Sequence, residues 1–121
     1  MEIALRLNFD VDVKPIMLWL MEKGVDIRDQ AALFTRNPQI FKKTLDEMNN
    51  AIEYLKSKDF ARQGIKEILI GSHGRWLNFS VVEIDSKLGY FQRNFGLSGN
   101  EVRKLSMKEP NLIIWTGAPF Q

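Results

Sequence analysis

Apolar positions along this chain recur at helical spacing. Leu45, Met48, Ile52 and Leu55 stand at i, i+3, i+7 and i+10, which lays them on one stripe of a helix. Val81, Ile84, Leu88 and Phe91 repeat the stripe 36 residues later (81 − 45 = 36), and Tyr54 is matched by Tyr90. Helix breakers keep the same interval: Pro38, Gly74 and Pro110 (74 − 38 = 36; 110 − 74 = 36). They open the segments NPQIF, HGRWL and EPNLI, each a breaker, one polar or basic residue, then two apolar ones. So many matches in one register mark an internal repeat.

Helix starts obey the interval too. Thr44-Leu-Asp-Glu47 and Ser80-Val-Val-Glu83 read as capping boxes, in which the hydroxyl takes the N3 amide and the Glu reaches back to the cap. Ser98 and Asp26 are caps of a second class (98 − 26 = 72), each two residues after a glycine, Gly96 or Gly24, suited to close the preceding helix. The middle unit departs, with Phe60 in place of that glycine and Arg62 in place of the cap. The pattern predicts helices at about 10–22, 26–36, 44–57, 62–71, 80–94 and 98–108, with short turns of 3₁₀ character after each breaker. No segment alternates as a half-buried strand would, so the class is all-α. A single unit cannot bury its own stripe; stacked neighbours must, giving an α-solenoid superhelix of period about 36 residues. The expected divisions are the end of a preceding repeat (1–23), repeats at 24–59 and 60–95, and an incomplete repeat (96–121). On this reading the chain is a slice of a longer protein that exposes Ile113, Ile114 and Trp115 and self-associates.

Composition narrows the function classes. At 121 residues and 45% hydrophobic content, one domain with a core is expected. With no cysteine, disulfides and thiolate metal sites are excluded. No apolar run reaches the roughly 18–20 residues a membrane span needs, so no membrane partner is expected. The opening MEIALRLNFD is neither a secretory signal nor a clear transit peptide. A net charge of +2 is too small to identify a nucleic-acid binder by itself. His73 is the only histidine, and no carboxylate cluster has ligand spacing, so neither metal nor cofactor is expected. Gly71-Ser-His-Gly74 lacks the lysine of a phosphate-binding loop, and no nucleophile motif or GxGxxG occurs. Nothing supports an enzyme, and no catalytic residue is assigned.

The segments LFTRNPQIF, NAIEYLKSKDF, LNFSVVEIDSKLGYFQRNFGLS and VRKLSMKEPNLI resemble motifs of the mitochondrial transcription termination factor (mTERF) family. The resemblance runs from about Leu5 to Pro119, and the third segment is most similar to one branch of the animal members, linked to mitochondrial transcription and ribosome biogenesis. Gly74 stands where the family has proline. The resemblance implies two α-helices and a 3₁₀ turn per repeat, stacked into a curved superhelix. It further implies a basic concave face gripping double-stranded mitochondrial DNA or structured ribosomal RNA. The location implied is the mitochondrial matrix, reached by a transit peptide, with protein partners in the transcription or ribosome machinery.

The residues give this reading partial support of their own. Arg36 and Lys108 each stand two before a breaker, a place held by Ser72 in the middle unit; Lys42, Lys43, Arg75, Arg103 and Lys104 lie nearby. Stacking would align these seven cations along one edge, where they can follow phosphates. The competing explanation is that a solenoid simply keeps Lys and Arg on solvated faces. Asp46, Glu47, Glu53, Glu83 and Asp85 are expected on a different face. Trp19, Phe41, Trp76, Phe79, Phe91 and Phe95 are expected to pack, leaving Trp115 as the loose ring. Two functions remain: a nucleic-acid-binding regulator of mitochondrial gene expression, or a helical-repeat scaffold for protein partners without direct nucleic-acid binding.

Overall fold

A computed structural model describes residues 7–115. The outermost parts of the first and last expected divisions, 1–6 and 116–121, lie outside the described residues. Within them the chain is all-α, with no strand. Three longer helical segments alternate with three shorter ones. A π-helical turn, Phe9–Val13, leads into α1 (Lys14–Glu22); α3 (Leu45–Ser57) and α5 (Val81–Asn94) are its counterparts. The shorter helices are α2 (Ile27–Arg36), α4 (Arg62–Gly71) and α6 (Gly99–Lys108). Breaker turns follow: 3₁₀ turns at Pro38–Lys42 and Arg75–Asn78, then α7 (Pro110–Ile114). The third turn is therefore α-helical rather than the expected 3₁₀.

Caps set the register. The boxes at Thr44/Glu47 and Ser80/Glu83 both close, as does Ser98/Glu101, and Asp26 accepts the Asp29 amide at 2.9 Å. Asn8 caps the first long segment by accepting the amides of Asp10 and Val11, so the three long segments start at caps 36 residues apart (44 − 8 = 36; 80 − 44 = 36). Gly24 and Gly96 take the left-handed conformation expected of them. In the middle unit Asp59 takes that conformation (φ 68°) one residue early, which frees Phe60 to be buried and leaves α4 without a side-chain cap.

The residue gained there is returned at the breaker. His73 and Gly74 are both left-handed (φ 54° and 73°), and Gly74 precedes the turn helix where Asn37 and Glu109 do in the other units. The first turn residues are thus Pro38, Arg75 and Pro110, spaced 37 and 35 (75 − 38; 110 − 75). The even 36-residue register of the breakers is a property of the sequence, not of the backbone.

The core runs through the stack. Met48, Ile52, Leu55, Ile84, Leu88 and Phe91 are buried as the stripe requires, joined by Leu20, Leu33, Ile40, Ile68, Leu69, Trp76 and Ile113. The first stripe residue in each helix departs: Leu45 is 37% exposed and Val81 half-buried, since each sits at a helix start beyond the reach of the neighbouring unit. Phe95, expected to pack, is 61% exposed, its ring stacked on Phe91 at 5.3 Å between centroids. Of the three residues expected to be exposed at the end of the stack, only Trp115 is (79%); Ile113 is buried in the core and Ile114 half-buried, because α7 packs them against α5 and α4.

Candidate nucleic-acid interface

The stack has two edges, one where breaker turns lie and one where glycine-type turns link long helices to short ones. Successive breaker turns are joined directly. Asn37, buried, donates from Nδ2 to the His73 carbonyl (3.0 Å) and exchanges amide hydrogen bonds with Asn78 (3.3 and 2.9 Å). Trp76 donates its indole N–H to the Pro110 carbonyl at 3.0 Å, and Asn111 donates to the Gly71 carbonyl at 3.2 Å. An added Cβ on Gly71 would stand 2.9 Å from Pro110 Cγ, so α4 ends in glycine where the next turn presses on it.

Five of the seven expected cations lie at this edge. Arg36 ends α2, Lys42 ends the first turn with Lys43 beside it, Arg75 begins the second turn, and Lys108 ends α6. Arg36, Lys42 and Lys108 are exposed; Lys43 and Arg75 are half-buried. None of the five forms an ion pair among the described residues. Arg75 and Arg36 are brought together, with Arg75 Nη2 3.4 Å from the Arg36 carbonyl. His73 sits with them, its Nδ1 buried without a hydrogen-bond partner. Burial foremost, then the charges of Arg36 and Arg75, hold the imidazole below its ordinary pKa of 6.5. Two guanidinium groups thus flank an imidazole whose protonated form they disfavour.

The row is less segregated than expected. Asp46, Glu47 and Glu83 occupy the first turns of α3 and α5, which begin at this same edge, and Glu109 caps α7. Negative groups belong there because a helix N-terminus favours them. Glu47 is held below its usual range by the Thr44 backbone amide, against a smaller opposing effect of burial, with Lys43 helping. Of the five acids expected on a different face, only Glu53 and Asp85 lie away from the helix starts.

Arg103 is not with the row. Its Nη1 lies 3.3 Å from the Lys58 carbonyl at the end of α3, on the glycine-turn edge. Lys104 is exposed on α6 and tied to neither edge. Arg62 makes the counterpart of the Arg103 contact, donating to the Glu22 carbonyl at the end of α1 at 2.8 Å; the two accepting carbonyls are 36 residues apart (58 − 22). Beside each contact lies a cleft. One of about 360 Å³ includes Glu22, Lys23, Lys56 and Arg62 in its lining. The other, of about 510 Å³, includes Lys58, Asp59, Asp85, Arg93 and Arg103. Tyr54 donates to Asp85 at 2.5 Å in the second cleft, and burial, then that bond, push the phenol's pKa well up. Sequence reasoning missed these clefts. No signal in the 36-residue register pointed to them, because Lys23, Lys56 and Arg62 fall on Asp59, Gln92 and Ser98 one unit later.

Among the described residues no group of three or more His, Asp or Glu could hold a metal ion, and no helix is long and apolar enough to cross a membrane. No protein-family model matches the chain. Curated relatives do match. A Drosophila melanogaster protein named transcription termination factor 3, mitochondrial, is 40% identical over 114 residues, 94% of this chain and 32% of the relative. The rat and mouse proteins of the same name are 33% and 31% identical over 106 residues, 88% of this chain and 26% of each relative. The chain belongs to the mTERF family. It spans between a quarter and a third of the length of these relatives, and they place it in the mitochondrion. The all-α repeat fits that family, and the third animal member is the one the α5 segment resembled.

Proposed function

We propose that this mTERF chain is part of a nucleic-acid-binding regulator of mitochondrial gene expression, acting in the matrix in processes related to transcription termination. The relatives' shared name is the observation that carries the reading. Unpaired cations on the breaker turns are the structural feature that agrees with it. A polyanion gains from such groups by releasing its condensed counterions, without any need for base contacts. The target is duplex mitochondrial DNA, with structured ribosomal RNA in ribosome biogenesis as the other phosphate-bearing target of the same chemistry. The role is binding rather than catalysis. The exposed rings of Phe95 and Trp115 favour the second reading, a scaffold for protein partners of the transcription or ribosome machinery.

The test is affinity for a DNA duplex and for a ribosomal RNA fragment between roughly 50 and 200 mM salt. Binding should weaken steeply with salt, and replacing Arg36 and Lys108 together by Ala should lower the log–log slope by about 2, at about 0.9 per phosphate. Salt-independent or absent binding to both nucleic acids, with a mitochondrial protein co-purifying instead, would select the scaffold.

A further inference from the structure

The two glycine-turn clefts are the same feature in successive units. Glu22, Lys23, Ile52 and Lys56 of the first align with Lys58, Asp59, Leu88 and Gln92 of the second, each pair 36 residues apart. In both, an arginine from the short helix of the next unit, α4 or α6, donates to a carbonyl at the end of the long helix of the unit before, α1 or α3. That contact offsets the negative end of the helix dipole, which would otherwise repel an anion. Three cations then face the first cleft (Lys23, Lys56, Arg62) against one carboxylate, Glu22. Three face the second (Lys58, Arg93, Arg103) against Asp59 and an Asp85 already held by the Tyr54 hydroxyl. Arg93 folds back over Gly89, where an added Cβ would stand 2.9 Å from its Nη1; the missing side chain lets the guanidinium lie against the helix at the cleft wall.

We propose that these clefts are successive phosphate subsites, one per repeat, so that a polynucleotide backbone is gripped along the glycine-turn edge. The proposal rests on the nucleic-acid reading and assigns the grip to a different set of residues from the breaker-turn row. Its chemistry is that of any phosphodiester backbone, DNA or RNA, because guanidinium and ammonium groups contact phosphate oxygens without reading bases. Lys23 is shared between Glu22 at 3.9 Å and the Trp19 ring, and Lys56 lies 3.4 Å from Glu53. The Lys56 pair is exposed and Lys23 is half-buried beside an exposed Glu22, so both pairs are solvent-screened and leave the ammonium groups available to a stronger anion.

The experiment measures salt-dependent binding of a fluorescein-labelled DNA duplex and of the same sequence as an RNA duplex. Lys56→Ala with Arg93→Ala, which removes one cation from each cleft and touches no backbone hydrogen bond, should lower the DNA slope by about 1.8 with melting unchanged. Gln92→Lys restores in the second cleft the lysine that the first has at 56 and should raise the slope by about 0.9. An unchanged slope in both variants, while the unaltered chain binds and the Arg36/Lys108 variant loses slope, overturns the clefts and leaves the nucleic-acid reading intact. No salt-dependent binding by the unaltered chain overturns both. A response with only one of the two duplexes upholds the clefts and identifies which polynucleotide they serve.

Discussion

The breaker edge and the glycine-turn edge solve the same problem, joining one unit to the next, by opposite means. At the breaker edge buried amides and an indole reach across from turn to turn: Asn37 to His73 and Asn78, Trp76 to Pro110. At the glycine-turn edge the reach is made by exposed hydrogen bonds from arginines to helix-end carbonyls, Arg62 to Glu22 and Arg103 to Lys58, and clefts remain between units. A buried hydrogen bond is costly to break because its partner is left dry and unsatisfied, whereas water replaces an exposed one. One edge should therefore carry stability and the other should be free to carry ligand.

The largest expected difference comes from Trp76, which is buried and donates to Pro110. Trp76→Ala should cost about 3–5 kcal/mol in urea unfolding; a loss below about 1 kcal/mol would mean that the turns are not the joint. Next is a matched pair. Asn37→Ala strands the His73 carbonyl and the Asn78 amide and should cost about 1–3 kcal/mol, while Arg62→Ala at the other edge should cost about 0.5–1.5 kcal/mol. Equal losses in the two variants would erase the distinction between the edges.

The smallest effect separates the edges by pH. His73 is held below 6.5 in the folded chain, so the unfolded chain takes up a proton first as the solution is acidified. Its contribution to stability is full above pH 6.5 and is lost as pH falls through the folded value. An NMR titration should find the imidazole midpoint below 6.5. Replacing Arg36 and Arg75 by Ala should raise it only part of the way, since burial is the larger cause. The glycine-turn edge, with no histidine, should show no proton uptake in this window. A midpoint at or above 6.5 would place the ring in water and dissolve the cluster at the breaker edge.

Much of this architecture was legible in the sequence because its signals are local. Capping boxes at Thr44, Ser80 and Ser98 and glycines at 24 and 96 act within a few residues, and the six helices begin and end close to where those signals put them. The apolar stripe was legible at its centre, Ile52 and Leu88, and not at its end, where exposure of Leu45 depends on how far the neighbouring unit extends. The interface was less legible still. Sequence adjacency put Arg103 and Lys104 with Lys108, but residues five apart on a helix differ in both height and direction, and Arg103 turns to the far edge. The same limit hid the acids, because a helix start draws Asp46, Glu47 and Glu83 to the very edge where the cations were counted.

The left-handed pair His73–Gly74 bears on how such arrays are engineered by consensus. Averaging the units in their 36-residue register writes proline at position 74, since Pro38 and Pro110 flank it at equal distance. The backbone there needs φ of 73°, and the Gly74 amide donates to the Leu69 carbonyl at 2.8 Å. Proline is locked near −65° and has no amide to give. An averaged repeat would thus place the stiffest residue where this molecule bends the other way, and a designer who trusted the ruler would break the joint it was meant to idealise.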